Sequence, residues 1–442
     1  MITYPEQLEI LPLLTSPDAT IPIPGSKSLT NRALILASLA DGESTLHNAL
    51  DSEDTQVMLE GLRRLGFTVS SNVKTETMTV CGTGGVIPAL RAELFCGNSG
   101  TSIRFLTALC ALGNGEYGLD GVERMRLRPQ QDLLDALTQL GANTKSDFDN
   151  GCPPLTVKTQ GLHGGNILLS AEASTQFVSA LLMVAPYAHT ETTIKIEGNL
   201  RPHYVELTRN MMRQWGVLSE VNDEGTFRVK PGQRYHAQSA YPIEPDASGA
   251  SYFFAAAALT GGRVTVPGLG SGSLQGDVRF ATEVLAEMGC EVSENEEGLT
   301  VKGAKPGHLR GIERDMSAIS DTALTLAAIA PFANSPTLIT GIAHSREQEC
   351  DRVSAVCTEL RKLGVEVDEF RDGYRIYPLS SEQTMRPALI ETYRDHRVAM
   401  SFALIGLKAP GIVISDPGCV AKTFPDYWNR LDLLRSELKG KN

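Results

Sequence analysis

The sequence predicts an α/β protein of two domains, assembled from six βαβαββ-like units, three to a domain. Three observations lead there. A helix–glycine–strand junction recurs about every 75 residues, a second, almost wholly apolar helix recurs in its own register, and the 442-residue length exceeds what one core accommodates.

The junction reads MLEGLRRLGFTV, LLDALTQLGANT, LTRNMMRQWGVLS, ATEVLAEMGCEV and VCTELRKLGVEV. Its glycines are Gly66, Gly141, Gly216, Gly289 and Gly364, at intervals of 75, 75, 73 and 75 residues, and LDLLRSELKG, ending at Gly440, is a weaker sixth copy. Each glycine stands where a helix ends in the left-handed region, which glycine enters without a Cβ penalty.

The second helix reads SLTNRALILASLADG, GTSIRFLTALCALGNG, STQFVSALLMVAPYAH, SGASYFFAAAALTGG, SDTALTLAAIAPFAN and DHRVAMSFALIGLKAP. It begins at Ser28, Gly100, Ser174, Ser248, Ser320 and Asp395, at intervals of 72, 74, 74, 72 and 75 residues. Apolar nearly all round, it is expected to be buried. Segments such as TMTVCG and FRVKPG supply further strands, and the polar stretch PGQRYHAQSAYPIEPD, residues 231–246, is the expected crossover between domains.

Composition narrows the function. A net charge of -12 argues against nucleic acid as a partner, because a phosphate backbone selects for a basic surface. The eight cysteines form no CxxC pair and no metal-type spacing with the eight histidines, and read as reduced, buried thiols. The N-terminus lacks the pattern of a secretion signal, and no apolar run approaches the roughly 20 residues a membrane span needs. The expected compartment is the cytoplasm, or an organelle after loss of a transit peptide.

The apolar helices are polar at their starts. Lys27, Ser28 and Arg32 open the first; Asn98, Ser99, Thr101 and Arg104 the second; Ser174, Thr175 and Gln176 the third. Asp246 and Ser248 open the fourth, Ser320 and Asp321 the fifth, and Arg394, Asp395, His396 and Arg397 the sixth. Capping accounts for the Ser, Thr, Asp and Asn residues. It does not account for Lys27, Arg32, Arg104 or Arg397, since the positive end of a helix disfavours cations. A cation kept there implies an anion in front of it, and helix starts converging on a cleft between domains suit ligands rich in phosphate and carboxylate. IPGSKSLTNRAL is not a nucleotide loop of the GxxxxGK[ST] kind: Thr20 replaces the first glycine, and Ser26 separates Gly25 from Lys27.

PGSKSLTNRAL, FCGNSGTSIRFLTAL, ERMRLRP, STQFVSALLM, TYRDHRVAM and CVAKTFPDYW, in this order and spacing, resemble the enolpyruvyl transferase family, most closely its shikimate 3-phosphate branch. The resemblance runs from about Ile21 to Trp428. It implies a two-domain inside-out α/β barrel, or α/β prism, of six βαβαββ repeats with the active site in the inter-domain cleft. The N-terminal segment then joins the C-terminal half, giving domains of residues 21–245 and of residues 1–20 plus 246–442.

The reaction it implies moves the enolpyruvyl group of phosphoenolpyruvate to the 5-hydroxyl of shikimate 3-phosphate by addition and elimination, giving 5-enolpyruvylshikimate 3-phosphate and phosphate. No metal or organic cofactor is implied, and the expected state is a monomer without nucleic-acid or membrane partners. Carried over block by block, Lys27, Gly100, Arg128, Gln176, Arg352, Arg397 and Lys422 bind phosphoenolpyruvate. Lys27, Ser28, Arg32, Ser174, Thr175, Gln176, Tyr204, Asp321, His344 and Gln348 hold shikimate 3-phosphate. Asp321 is the candidate base for the hydroxyl, Glu349 the candidate acid and base at carbon, and Lys27 a proton shuttle or a brace for developing charge.

Plainer readings stand beside these. Asp321 also occupies a capping position, Glu349 also fits a solvated helix face, Arg352 also fits a surface salt bridge, and His396 reads as a structural hydrogen-bonding residue. Departures from the family pattern are Gln348 where a lysine is common, Thr175 within a usual Ser-Ser-Gln, Phe105 for a frequent proline, and no serine near Arg201, which could itself reach a phosphate. The related transfer to UDP-N-acetylglucosamine is the alternative. Its enzymes usually carry a reactive cysteine in the loop of the second repeat, and the corresponding Gly113–Pro129 has none. A non-catalytic anion-binding protein of the same fold would lack Lys27, Asp321 or Glu349; all three are present.

Overall fold

A computed structural model describes residues 3–170, 174–197, 203–380 and 382–435. Arg201 and Gly440 lie outside the described residues. The chain divides into two compact units, one of Gly25–Ile243 and one of Met1–Pro24 with Glu244–Asn442.

Each unit is built around three buried helices. In the first unit these are Lys27–Leu39, Gly100–Cys110 and Thr175–Val184; in the second, Ala247–Thr260, Ala323–Ile329 and His396–Gly406. Within the first unit the second helix packs against the other two, and within the second unit all three pack against one another. The apolar periodicity is the cause, since a helix without a polar face is stable only when surrounded.

One strand order recurs around these helices. In Arg91–Phe95, Asn114–Asp120, Leu155–Gln160 and Asn143–Ser146, the first two strands are parallel and the following pairs antiparallel. The buried helix Gly100–Cys110 is the crossover that the parallel pair requires. The other four-stranded sheets have the same order. The remaining sheet pairs Ala388–Ile390 parallel to Ile412–Ser415, with Gln7–Ile10 antiparallel beyond it.

The segments just before the two unit boundaries complete these sheets. Tyr241–Pro242 joins Asp41–His47 in the first unit, and Asp18–Thr20 joins Arg263–Val266 in the second.

The five junction glycines all have positive φ: 91° at Gly66, 103° at Gly141, 92° at Gly216, 100° at Gly289 and 84° at Gly364. Two elements differ from expectation. The helix before Gly289 is π-helical over Phe280–Leu285. The fifth buried helix starts at Ala323 rather than Ser320, because Ser317–Thr322 is a 3-10 turn broken at Ile319, whose φ of -137° and ψ of 42° are not helical. That break moves Asp321 off the capping position, which Thr322 takes.

Candidate active site

Each unit holds its share of the expected residues at the starts of its buried helices and on neighbouring helices and turns. In Gly25–Ile243, Ser26 caps the first helix and Lys27 is its first residue. Lys27 Nζ meets Asp54 Oδ2 at 3.2 Å, with both side chains largely buried. Asp54 lies in the first turn of the helix Glu53–Arg64, where a carboxylate is favoured by the helix dipole. Ser28 follows Lys27, and its carbonyl accepts from Arg32 Nη1 at 3.0 Å.

Arg32 is only 2% exposed. It donates to Thr208 Oγ1 at 2.7 Å, to Ser179 Oγ at 3.4 Å and to the Tyr204 carbonyl at 3.4 Å, and its guanidinium lies 5.2 Å from the centre of the Phe105 ring. Burial pulls its pKa down to about 10, a shift that the nearby Tyr204 only partly opposes. A cation so desolvated, among neutral oxygens, gains from an anion brought close to it.

Gly100 opens the second helix, and a Cβ there would stand 2.8 Å from Arg128 Cζ. Arg128 is buried at the end of the short turn Met125–Leu127 and donates to the Asn98 carbonyl at 3.2 Å. The glycine is thus the space in which this guanidinium lies.

Arg104 joins the second helix to the third. Its Nη1 donates to Ser174 Oγ at 3.1 Å and to Gln176 Oε1 at 2.8 Å, while the guanidinium lies over Phe177 at 4.9 Å. Ser174 caps the third helix by accepting from the Gln176 N–H, and Thr175 is the first helical residue. Tyr204 contributes a backbone oxygen to this group, accepting from Arg32, Ser179 and Thr208.

The other unit assembles Asp321, Glu349, Arg352, Asp395, Arg397 and Lys422. Asp321 accepts from Arg397 Nη2 at 2.6 Å and stands 3.5 Å from Arg352 Nη1. Glu349 accepts from Arg352 Nη2 at 3.0 Å and pairs with Lys422. Arg352 Nε bonds Asp395 Oδ2 at 2.8 Å, and Gln348 accepts from Arg352 Nη1. Burial works against charge on Arg352, but Asp395 and Glu349 outweigh it and hold its pKa above the ordinary value. His344 Nε2 lies 3.0 Å from Ser320 Oγ, at the turn that carries Asp321.

Arg352 and Arg397 stand in the first turns of the helices Arg352–Lys362 and His396–Gly406, so both cations sit at positive helix ends. Arg397 Nη1 also donates to Tyr252 Oη at 3.4 Å. Burial raises the Tyr252 pKa to about 12 although Arg397 and Arg352 lower it, which keeps the phenol a neutral hydrogen-bonding partner. Each of the two candidate acid–base carboxylates therefore touches two cations. Such a set can bind an anion and move protons beside it. Among the described residues no group of three or more His, Cys, Asp or Glu is placed to hold a metal ion.

Four residues that contact the expected ones escaped sequence reasoning as site residues: Asp54, Arg104, Tyr252 and Asp395. Arg104 and Asp395 were visible as polar helix starts, but a capping aspartate hides its second partner. Asp54 and Tyr252 carry no local signal, since what marks them is contact with Lys27 and Arg397.

Residues 15–431 match the family model described as EPSP synthase (3-phosphoshikimate 1-carboxyvinyltransferase). The 3-phosphoshikimate 1-carboxyvinyltransferase of Trichormus variabilis is 52% identical over 422 residues, covering 95% of this chain and 97% of that protein. The protein of the same name from Shewanella pealeana is 44% identical, covering 94% and 96%. Among solved structures, an EPSP synthase from Acinetobacter baumannii is similar with a TM-score of 0.79 at 26% identity, covering 96% of this chain and 97% of that one. Among the described residues no helix is long and apolar enough to cross a membrane.

Proposed function

The chain belongs to the EPSP synthase family, and on that premise we propose that its two polar clusters, one on each unit, bind the two substrates and carry the proton transfers. The reaction is the transfer of the enolpyruvyl group from phosphoenolpyruvate to the 5-hydroxyl of shikimate 3-phosphate, with release of phosphate. The substrates bring roughly five negative charges, which preorganised cations offset best in a site shielded from water.

Phosphoenolpyruvate is taken by Lys27, Gly100, Arg128, Gln176, Arg352, Arg397 and Lys422. Shikimate 3-phosphate is taken by Lys27, Ser28, Arg32, Ser174, Thr175, Gln176, Tyr204, Asp321, His344 and Gln348. Asp321 accepts the proton of the 5-hydroxyl as its oxygen bonds to C2 of phosphoenolpyruvate, while Glu349 delivers a proton to the methylene carbon. In the elimination Glu349 takes a proton back from the new methyl group, and the C2–phosphate oxygen bond breaks. Lys27 braces the developing charge. The observation that carries this assignment is the division of cations: Glu349 lies between Lys422 and Arg352, and Asp321 between Arg397 and Arg352.

The same reading takes the units as the two domains of an inside-out barrel, or α/β prism, of six βαβαββ repeats, and the recurring strand order supports it. It also takes the chain to act as a cytoplasmic monomer, which sedimentation of the purified protein tests. The reaction assignment is tested by mixing the protein with shikimate 3-phosphate and phosphoenolpyruvate and following phosphate. Release with UDP-N-acetylglucosamine as acceptor, and none with shikimate 3-phosphate, overturns it.

A further inference from the structure

The sixth buried helix is reached through a turn that its own sequence disfavours. Between the strand Ala388–Ile390 and the helix His396–Gly406, the Asp395 N–H donates to the Thr392 carbonyl at 2.8 Å, closing a tight turn around Tyr393 and Arg394. Both central residues are left-handed, with φ of 54° and 57°. Glycine, asparagine and aspartate dominate such positions, because a larger side chain meets a Cβ penalty there. Tyrosine and arginine keep this conformation only where surrounding contacts hold it.

Those contacts come from one helix. Glu359 lies in Arg352–Lys362, and its side chain is fully buried. It accepts from Tyr393 Oη at 2.7 Å and from the Glu391 N–H at 3.1 Å, while Lys362 Nζ, one turn on, pairs with it at 2.8 Å. Burial and the Glu359 carboxylate hold the Tyr393 phenol above its ordinary pKa, so it remains a donor. Glu359 follows Arg352 by two turns of helix and therefore shares its face. Arg352 grips the other end of the same segment through Asp395, at 2.8 Å.

The helix thus holds residues 391–395 at two points. The turn between those points ends on the carboxylate that bonds the Arg352 side chain and the Arg397 N–H. Releasing the Glu359 end lets the turn relax toward backbone that Tyr393 and Arg394 prefer, and Asp395, its last residue, moves with it.

We propose that Glu359 and Tyr393 are positioning residues for the transfer: their hydrogen bond holds the left-handed turn that sets Asp395, and through Asp395 it sets Arg352 and Arg397. The inference rests on the reading of those two arginines as part of the phosphoenolpyruvate site.

The test is steady-state kinetics, with each substrate varied, for the wild type, Tyr393→Phe, Glu359→Ala and Glu359→Gln. Tyr393→Phe keeps the ring and loses the hydroxyl. It is expected to raise KM for phosphoenolpyruvate by roughly 3- to 10-fold, the scale of one hydrogen bond, with KM for shikimate 3-phosphate unchanged. Glu359→Ala is expected to do at least as much. Glu359→Gln is expected to stay within about 2-fold of the wild type, because its amide oxygen can accept from the Glu391 N–H and the Tyr393 hydroxyl can turn to accept from its amide nitrogen. An unchanged KM for phosphoenolpyruvate in Tyr393→Phe overturns the proposal, even with a lowered melting temperature. An equal rise in both KM values, or a Glu359→Gln as impaired as Glu359→Ala, overturns it too. If Glu359→Ala does not fold, Tyr393→Phe decides alone. Arg397→Ala separates the two readings. An unchanged KM for phosphoenolpyruvate in that variant sinks the donor-site assignment, whereas a raised value there with an unaltered Tyr393→Phe sinks only the role of Glu359 and Tyr393.

Discussion

Arg352 Nε lies 2.8 Å from Asp395 Oδ2, with side-chain exposures of 3% and 0%. The second oxygen of Asp395 accepts the backbone N–H of Arg397 at 2.8 Å, so one carboxylate orients two arginines of the proposed donor site. Asp395→Asn preserves the size and most of the capping ability and leaves Arg352 with Glu349 at 3.0 Å and Asp321 at 3.5 Å. Removing one partner of a buried pair costs about 3–5 kcal/mol when the remaining charge is uncompensated, and less where, as here, other carboxylates stay in contact. The variant is expected to unfold at lower urea concentration and to show a raised KM for phosphoenolpyruvate. A urea midpoint equal to that of the wild type would contradict this account of the pair.

Asp321→Ala addresses the chemistry. Loss of a general base lowers turnover by roughly 10²-fold or more, and calorimetry is expected to show shikimate 3-phosphate still bound. Near-normal turnover would leave Asp321 a structural partner of Arg397 and Arg352.

Gly100→Ala places a methyl group 2.8 Å from Arg128 Cζ, so the guanidinium must shift. Steady-state kinetics should show a higher KM for phosphoenolpyruvate with that for shikimate 3-phosphate little changed. The family resemblance implies that glyphosate competes for the donor pocket; on that reading it is expected to inhibit the protein, and the substitution is expected to relieve the inhibition. Equal sensitivity of the two proteins would remove Gly100 from that pocket.

Asp54→Ala tests the orientation of Lys27. A hydrogen bond to a charged group is worth about 1.5–3 kcal/mol, so kcat/KM is expected to fall by roughly 10- to 100-fold. Unchanged kinetics for both substrates would show that Lys27 does not need the 3.2 Å contact.

Asp277, buried on the turn Gly276–Val278 and accepting from Ser248 Oγ at 2.6 Å, gives stability a pH dependence of definite sign. Its folded-state pKa is raised to about 7 from 3.8, so its contribution is full below the lower value and is lost as pH rises through the higher one. The melting temperature of Asp277→Asn relative to the wild type should therefore be more favourable at pH 8 than at pH 5.5. A difference that does not change with pH would mean that the carboxyl does not titrate in this window.

The repeat intervals, the left-handed glycines and the apolar helices were legible in the sequence because each depends on residues within a turn or two of one another. Glycine at 66, 141, 216, 289 and 364 terminates its helix by the rule that excludes a Cβ there, and no distant contact is needed. The cations at the helix starts were legible for the same reason, as violations of a local preference. Tertiary structure decided the rest. It moved Asp321 from cap to ion pair by breaking the helix at Ile319, and it made the cap Asp395 the anchor of Arg352 as well. It also joined Lys27 to Asp54 and Ser248 to Asp277, residues on different elements of the chain. Such pairings depend on how helices and turns pack, and electrostatic strength on how completely packing removes water, so no local pattern encodes them.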